Sequence, residues 1–304
     1  GFSTGPNTAL NHYCLLNDKY TSVRGDICDP EALEAVFKTH QPDVVFHLAA
    51  QSLVRYSYDN PIETLQTNII GTAIIFEICR KTPSVNVVIN VTSDKCYDNK
   101  EWIWGYREND RMGGHDPYSA SKGCAELITA SYQKSFFNNQ QNKLLASVRA
   151  GNVIGGGDWS QDRLIPDIVK ATAQQAAVLI RNPLATRPWQ HVLDPLSGYL
   201  TLGQLLLAGK KEFAEGWNFG PHLNNNVTVE TLINKARAHW NNINYELSTD
   251  LSQHHEANLL MLDCSKAIKL LKWQPVWDFD TTIKKTIAWY QDFYENNQLN
   301  TDAD

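Results

Sequence analysis

Short, almost wholly apolar runs alternate with amphipathic segments through the first half of the chain. The runs are rich in Val, Ile and Leu and span residues 43–51, 86–91 and 144–153. The segments between them carry apolar residues at helical spacing and span 29–40, 60–81 and 116–137. Strands without polar alternation are typical of a parallel sheet that helices cover on both faces. The pattern therefore predicts an α/β fold with a doubly wound parallel sheet.

The pattern changes after about residue 155. Short strand-like runs such as VLIRNP and GWNFG are mixed there with longer helical segments. We therefore predict two lobes, a sheet domain at 1–155 and a smaller mixed α/β substrate lobe at 156–304 that shares elements with the first.

Composition narrows the class of protein. The chain has 304 residues, 42% of them hydrophobic, and a net charge of −6. The acidic balance argues against nonspecific nucleic-acid binding. No apolar run reaches the roughly 18 residues that a membrane span needs. The six cysteines show neither a disulfide framework nor metal-ligand spacing, which predicts reduced thiols in a cytoplasmic protein.

Three predicted strands end in small or polar residues, in the stretches HLAAQ, VTSDK and VRAGN. Ligands of open parallel sheets bind beyond the carboxyl ends of the strands, so these ends should meet at one site. The second end is unusual, because Ser93, Asp94 and Lys95 place a hydroxyl, an acid and an amine in a row. A plain strand terminus followed by a turn, with a surface ion pair between Asp94 and Lys95, is the alternative.

The stretch YSASK adds a second group of reactive side chains. Tyr118 and Lys122 are four positions apart and share one face if the segment is helical. A nearby ammonium favours the phenolate form, so we expect Lys122 to lower the pKa of Tyr118. YxxxK also occurs by chance on amphipathic helices, and a strand-end Ser upstream strengthens the catalytic interpretation.

The order GDICD, HLAAQ, NIIGT, VTSDKCY, YSASK and VRAGNVIG resembles the extended short-chain dehydrogenase/reductase family, whose sheet is Rossmann-like. Within it, TSDKCYDN, WGYREND, GGHDPYSASKGCAELI and RPWQHVLDPLSGYL resemble the CDP-glucose 4,6-dehydratase group. The resemblance implies NAD as cofactor, CDP-glucose as substrate and a homodimer or homotetramer. Dimers of the family pair through the helices expected at 60–81 and 118–137.

The reaction implied by this resemblance has three stages: oxidation at sugar C4, loss of water across C5–C6, and return of hydride to C6. Ser93 would hydrogen-bond the C4 oxygen, Tyr118 would take its proton, and Lys122 would hold the nicotinamide ribose. Asp94 would protonate the departing C6 hydroxyl. Lys95 stands where relatives keep a Glu base, so it is either a base or an electrostatic partner of Asp94.

The resemblance also implies the binding residues. Those for the cofactor are Asp26, Ile27, Leu48, Ala49, Ala50, Gln51, Thr92, Tyr118 and Lys122, and Asn68 is structural. Those for the substrate are Asn152, Arg163, Leu164, Arg187 and His255. For Arg187 the alternative is an ion pair with Asp194. No residues stand at metal-ligand spacing, so no metal is expected.

One motif of the family is not found. The glycine-rich phosphate turn belongs after the first strand, whereas GNVIGGGDW at 151–159 follows a later strand and YxxxK. We therefore expect the first strand and glycine loop, on the order of forty residues, to be missing from this chain, which would weaken NAD binding.

Other functions are considered as well. The first is another NAD-dependent nucleotide-sugar dehydratase of the same family, with a different nucleobase. A 4-epimerase of the same family needs no acid after the Ser, so Asp94 and Lys95 argue against it. An NAD-binding regulatory relative without activity is disfavoured by the joint presence of Ser93, Tyr118 and Lys122. An inactive truncated fragment is the last alternative.

Overall fold

The computed structural model describes residues 21–140, 142–222, 226–248 and 259–296. The helices in these ranges are α1 Pro30–His40, α2 Val54–Asp59, α3 Pro61–Leu65, α4 Thr72–Lys81, α5 Pro117–Ser135, α6 Leu164–Ala173, α7 Leu193–Leu207, α8 Val229–His239 and α9 Phe279–Asn296. The strands are β1 Val44–His47, β2 Val87–Val91, β3 Leu144–Arg149, β4 Val153–Ile154, β5 Ala177–Ile180, β6 Thr186–Pro188, β7 Gln190–His191, β8 Gly216–Asn218, β9 Asn226–Thr228 and β10 Asn244–Leu247.

The central sheet is parallel, with the strand order β1-β2-β3-β8. Side chains alternate between its faces. Ile89 packs in a cluster with Leu202 of α7, whereas Val88 packs in a second cluster with Phe76 of α4. Helices cover both faces, and the predicted α/β parallel sheet is confirmed. The expected absence of a first strand and glycine loop concerns the start of the chain, and residues 1–20 lie outside the described residues.

Two helices begin where the sequence predicts. Asp29 caps α1 by accepting a hydrogen bond from Ala32 N, and Pro30 stands at its first position. Asp116 caps α5 in the same way through Ser119 N. These caps define the residue at which each helix begins.

The helix predicted over 60–81 is interrupted. A π-helical turn, Gln66–Gly71, joins α3 to α4. Asn68 lies inside this turn, and its side chain accepts from Gln51 N and donates to Gln51 O. The π turn therefore occurs at the point where the helix is hydrogen-bonded to the loop after β1.

The strand predicted over 144–153 ends earlier, at Arg149. Asn152 has a left-handed backbone, with φ of 49°, and redirects the chain so that β4 pairs with β7. This turn carries residues 150–152 across the carboxyl end of β2.

The second half of the chain builds its own apolar core and also returns to the sheet. Ile168, Ile233 and Ile287 belong to a cluster formed by α6, α8 and α9. In contrast, α7 and β8 pack on the central sheet. In the described ranges no helix combines the length and apolar character that crossing a membrane requires.

Candidate active site

A cavity of about 1160 Å³ opens at the carboxyl ends of β2 and β3. It brings together most of the catalytic and substrate residues predicted from the sequence. Those lining it are Thr92, Ser93, Asp94, Lys95, Tyr118, Asn152, Arg163, Leu164 and Arg187. The residues after residue 155 in this set come from α6 and from the segment around β6. The site therefore lies between the sheet and the second half of the chain.

Ser93 is held at the start of a short 3-10 turn, Asp94–Cys96. Its hydroxyl donates to Asp94 Oδ1 at 3.0 Å and accepts from Lys95 N at 3.2 Å. Asp94 N donates to Ala150 O at 3.1 Å, which ties the turn to the end of β3. The serine hydroxyl and the aspartate carboxyl thus sit side by side at the floor of the cavity.

The Asp94 carboxyl is buried, with the residue only 2% exposed. Within the described part of the chain its Oδ2 has no hydrogen-bond partner. Burial raises the pKa of Asp94, and the charges of Lys95 and Arg187 oppose that rise. The neutral acid form, which can donate a proton, is therefore favoured relative to an exposed aspartate.

Tyr118 lies in the first turn of α5 and is buried, with its backbone N donating to Ser57 Oγ at 3.1 Å. Burial raises the pKa of Tyr118 to about 12, and a hydrogen bond with Ser93 opposes the rise. The expected net lowering of this pKa is wrong for this state of the site, because desolvation of the phenolate outweighs the favourable contacts.

Lys122 lies one turn further along α5 and is also buried. Its Nζ donates to Val91 O at 3.3 Å. Burial lowers the pKa of Lys122 to about 8, and the Glu126 carboxylate opposes this effect. The ammonium is therefore tied to the residue two positions before Ser93, and it loses its proton at a lower pH than an exposed lysine does.

Lys95 lies half-buried at the cavity wall beside Asp94. Its charge holds the pKa of Asp94 below the value that burial alone would produce. This position suits an electrostatic partner of the acid.

Sequence reasoning missed two buried charges behind the site. Glu126 and Arg149 form an ion pair with NH2 and Oε2 2.8 Å apart. Thr92 Oγ1 donates to Glu126 Oε1, and Ser147 Oγ donates to Glu126 Oε2 at 2.7 Å. Despite burial, the pKa of Glu126 is lowered by Arg149 and these donors. The available signal was the position of Glu126, four residues after Lys122.

Two arginines from the second half of the chain line the cavity. Arg163 donates through NH2 to Ser52 Oγ at 2.9 Å and lies 3.4 Å from Asp158 Oδ2. It therefore connects the loop after β1 with the second half of the chain. Arg187 donates to Thr186 O at 2.8 Å and acts electrostatically on Asp94. His255 lies outside the described residues.

Asp194, the alternative partner of Arg187, is buried and accepts from Val276 N at 2.8 Å through Oδ1. Asp194 therefore ties α7 to the segment before α9. Arg187 instead lines the cavity.

The residues predicted to bind the cofactor do not all line one cavity. Asp26, Ile27, Ala49 and Ala50 line a separate cavity of about 360 Å³. Leu48 is 53% exposed. Gln51 is fully buried, and its side chain donates to Thr64 Oγ1 at 2.8 Å and to Leu53 O at 3.0 Å. These contacts give the Gln51 side chain a structural role in the loop after β1.

The described residues contain no group of three or more His, Cys, Asp or Glu side chains that could hold a metal ion.

Comparison with known proteins gives a consistent family. The model of the GDP-mannose 4,6 dehydratase family matches residues 3–286. CDP-glucose 4,6-dehydratase of Salmonella typhimurium is 50% identical over 280 residues, which are 91% of this chain and 78% of the relative. dTDP-glucose 4,6-dehydratase 1 of Escherichia coli is 25% identical over 297 residues, 90% and 79% of the two chains.

Among solved structures, dTDP-glucose 4,6-dehydratase of Bacillus anthracis in complex with NAD has a TM-score of 0.75 at 24% identity, covering 93% of this chain and 84% of that one. UDP-glucose 4-epimerase of Thermotoga maritima has a TM-score of 0.77 at 22% identity, covering 91% and 86%. At such identities these structures establish the fold alone. The family match and the 50% identical relative go further, and they establish that the chain belongs to the GDP-mannose 4,6 dehydratase family.

Proposed function

We propose that this protein is a nucleotide-sugar 4,6-dehydratase that converts CDP-glucose to CDP-4-keto-6-deoxyglucose with NAD. The similarity to CDP-glucose 4,6-dehydratase of Salmonella typhimurium supports the substrate. The Ser93, Asp94, Lys95 sequence at the end of β2 supports the dehydratase class.

The observation that carries this proposal is the arrangement of Ser93, Asp94 and Tyr118 in one cavity. Ser93 Oγ donates to Asp94 Oδ1 at 3.0 Å, and the Tyr118 side chain lines the same cavity. A simple oxidation at C4 needs the hydroxyl and the phenol. A buried acid with a raised pKa next to them adds a proton donor, which loss of the C6 hydroxyl as water requires.

In this proposal Ser93 Oγ orients the C4 oxygen of the sugar. Tyr118 Oη accepts the C4 hydroxyl proton in its phenolate form, which the Lys122 ammonium on the same face of α5 must stabilise against the effect of burial.

The C4 ketone acidifies the proton at C5, and the Lys95 amine, which lines the cavity beside Asp94, accepts that proton. Asp94 donates its carboxyl proton to the C6 oxygen, the C6–O bond breaks, and water leaves a C5–C6 double bond. Return of the hydride to C6 and of a proton from Lys95 to C5 completes the product, while Arg187 and Asn152 bind the diphosphate.

The residues present fit NAD. Asp26 and Ile27 share the smaller cavity with Ala49 and Ala50, whose short side chains leave room for an adenosine. Thr92, Tyr118 and Lys122 are gathered at the neighbouring strand end. When bound, NAD would serve first as the hydride acceptor and then, in its reduced form, as the hydride donor. Leu48 is a proposed contact of the same cofactor. Gln51 is not, because it is fully buried and its backbone N and O are both hydrogen-bonded to the Asn68 side chain.

Exposed apolar side chains support a homodimer or homotetramer. Ile62, Ile70 and Leu127 are 72%, 53% and 60% exposed on the α3–α4 segment and on α5. Ile75 and Phe76, which lie in the helix that the sequence predicts at 60–81 for this interface, are instead buried in the chain's own core. We propose that two copies pair through α5 and the α3–α4 segment.

We also propose that the division into lobes lies near residue 155 and that the protein is cytoplasmic. Free thiols at Cys28, Cys79, Cys96, Cys124 and Cys264 support a reducing compartment.

The test is incubation of the purified protein with NAD and, separately, CDP-, dTDP-, GDP- and UDP-glucose. The proposal predicts a 4-keto-6-deoxy product, detected by its absorbance in alkali, with CDP-glucose as the best substrate. Formation of a C4 epimer instead would assign the protein to the epimerase alternative.

A further inference from the structure

The buried ion pair between Glu126 and Arg149 lies directly behind the strand end that carries Ser93. The two side chains are only 4% and 5% exposed. Desolvating two charges is costly, and replacing such a pair with apolar residues of similar volume is often neutral or stabilising. Stability alone therefore gives little reason for charged residues at these two positions.

Helix α5 holds two consecutive residues of this strand end. Lys122 Nζ donates to Val91 O at 3.3 Å, and Thr92 Oγ1 donates to Glu126 Oε1. The backbone of Thr92 is also fixed from the other side, because its N donates to Val148 O at 2.9 Å. Ser93 is the next residue, so its place is set by these contacts.

Arg149 reaches the other end of the same loop. Its NH1 donates to Tyr97 Oη at 2.6 Å and to Glu108 O at 2.9 Å. Tyr97 follows the 3-10 turn that carries Asp94. The ion pair therefore contacts the chain on both sides of Ser93 and Asp94, through Thr92 before them and Tyr97 after them.

Glu126 is also the negative charge nearest to Lys122 along α5, one helical turn away. Across from α5, His47 of β1 and Cys96 of the 3-10 turn act electrostatically with Lys122, and Tyr118 precedes it by one turn. Burial lowers the pKa of Lys122, and Glu126 is the first of the groups that oppose it. Glu126 thus keeps the Lys122 ammonium protonated towards higher pH.

We propose that Glu126 and Arg149 are a positioning pair of this active site, which holds Ser93 through Thr92 and maintains the charge of Lys122. The kinetic part of this inference rests on the proposed dehydratase function. The pair touches neither substrate nor cofactor in this account, and it acts through the residues that do.

The principal test is the double variant Glu126→Gln/Arg149→Met, which removes both charges and leaves neither one buried alone. Two quantities are measured at a temperature at which the parent and each variant are fully folded. The first is the titration of Lys122 in ligand-free protein by NMR of ¹³C-labelled lysine, with the signal assigned by Lys122→Met. The second is kcat as a function of pH. The control is Glu77→Gln, which removes a glutamate that pairs with Arg80 on α4.

We expect the double variant to lower the pKa of Lys122 by about one unit and to reduce kcat about tenfold. The pH above which kcat falls should also be lower than in the parent. The control should change none of these. An unchanged Lys122 titration and parent kcat in the double variant would overturn the proposal and leave the pair a structural role.

Thr92→Val keeps the test decisive if the double variant does not fold. It removes the one hydroxyl that links Glu126 to the strand end and keeps the side-chain shape. We expect kcat to fall about tenfold while Lys122 titrates as in the parent. Parent kcat in Thr92→Val would overturn the positioning of Ser93. If the parent itself turns over no nucleotide sugar, the proposed function fails, whereas the Lys122 titration still tests the pair.

Discussion

The Asp94 carboxyl lies directly against the backbone of Gly151. A Cβ at Gly151 would stand 1.9 Å from Asp94 Oδ2, well inside van der Waals contact. Gly151 belongs to the turn that crosses the end of β2, so the absence of its side chain creates the space for the acid. The glycine of the VRAGN stretch is therefore explained by the aspartate of the VTSDK stretch.

Gly151→Ala should displace Asp94 and slow the dehydration step about tenfold or more, because the proton donor loses its place. Loss of water is followed in single turnover by the incorporation of deuterium from the solvent at C5 of the product. Gly203→Ala is a suitable control, because Gly203 lies on α7 away from Asp94. Its added methyl would stand 3.3 Å from the nearest side-chain atoms, those of Ile89 and Phe46. Parent dehydration in Gly151→Ala would show that the acid tolerates the displacement.

Asp94→Asn should leave hydride transfer intact and slow water loss about a hundredfold, which is the usual contribution of a positioned general acid. Reduced cofactor should therefore accumulate during single turnover, as measured by its absorbance. Dehydration at the parent rate would remove Asp94 from the acid role.

Lys122 should make stability depend on pH. Its pKa of about 8 in the folded protein is lower than the ordinary 10.5 of the unfolded chain. Between these values the unfolded chain binds more protons, so the free energy of unfolding rises with pH. The contribution of Lys122 amounts to about 3 kcal/mol over this window.

The measurement is the difference in unfolding free energy between the parent and Lys122→Met at pH 8 and pH 10. The parent should gain stability relative to the variant as the pH rises. A difference that is constant or of opposite sign would contradict the lowered pKa of Lys122 in the folded protein.

Leu127→Glu should weaken self-association, because it places a charge on the exposed apolar surface of α5. Molar mass by light scattering at micromolar concentration gives the result. Leu184→Glu is the control, since Leu184 is 72% exposed in the second half of the chain. A monomeric parent would remove the proposed dimer altogether.

The sheet and most helices could be predicted from the sequence, because apolar runs and Asp-Pro starts are local signals. The prediction failed where partners from elsewhere in the chain decide. The π turn around Asn68 depends on Gln51 in the loop after β1. The burial of Ile75 and Phe76 depends on which side of α4 meets the sheet. The division at residue 155 stays a prediction.

The residues of the site, like the elements of the fold, could be predicted only in part. Ser93 and Asp94 could be placed at the site because strand ends of a parallel sheet share one edge. Tyr118 was placed with them through the YSASK motif and the family resemblance. The raised pKa of Tyr118 could not be predicted, since it follows from burial that only the packed structure defines. Glu126 and Arg149 were missed for the same reason. Each appears in the sequence as an isolated charge, and their pairing requires α5 and β3 to be in contact.

The most direct test of the dehydratase assignment follows a deuterium label. The protein is incubated with NAD and CDP-glucose carrying deuterium at C4, with Tyr118→Phe as the inactive control, and the product is analysed by NMR. The account predicts that deuterium moves from C4 to the C6 methyl group, because the same hydride leaves C4 and returns to C6. Deuterium that returns to C4 of an epimerised sugar would contradict it.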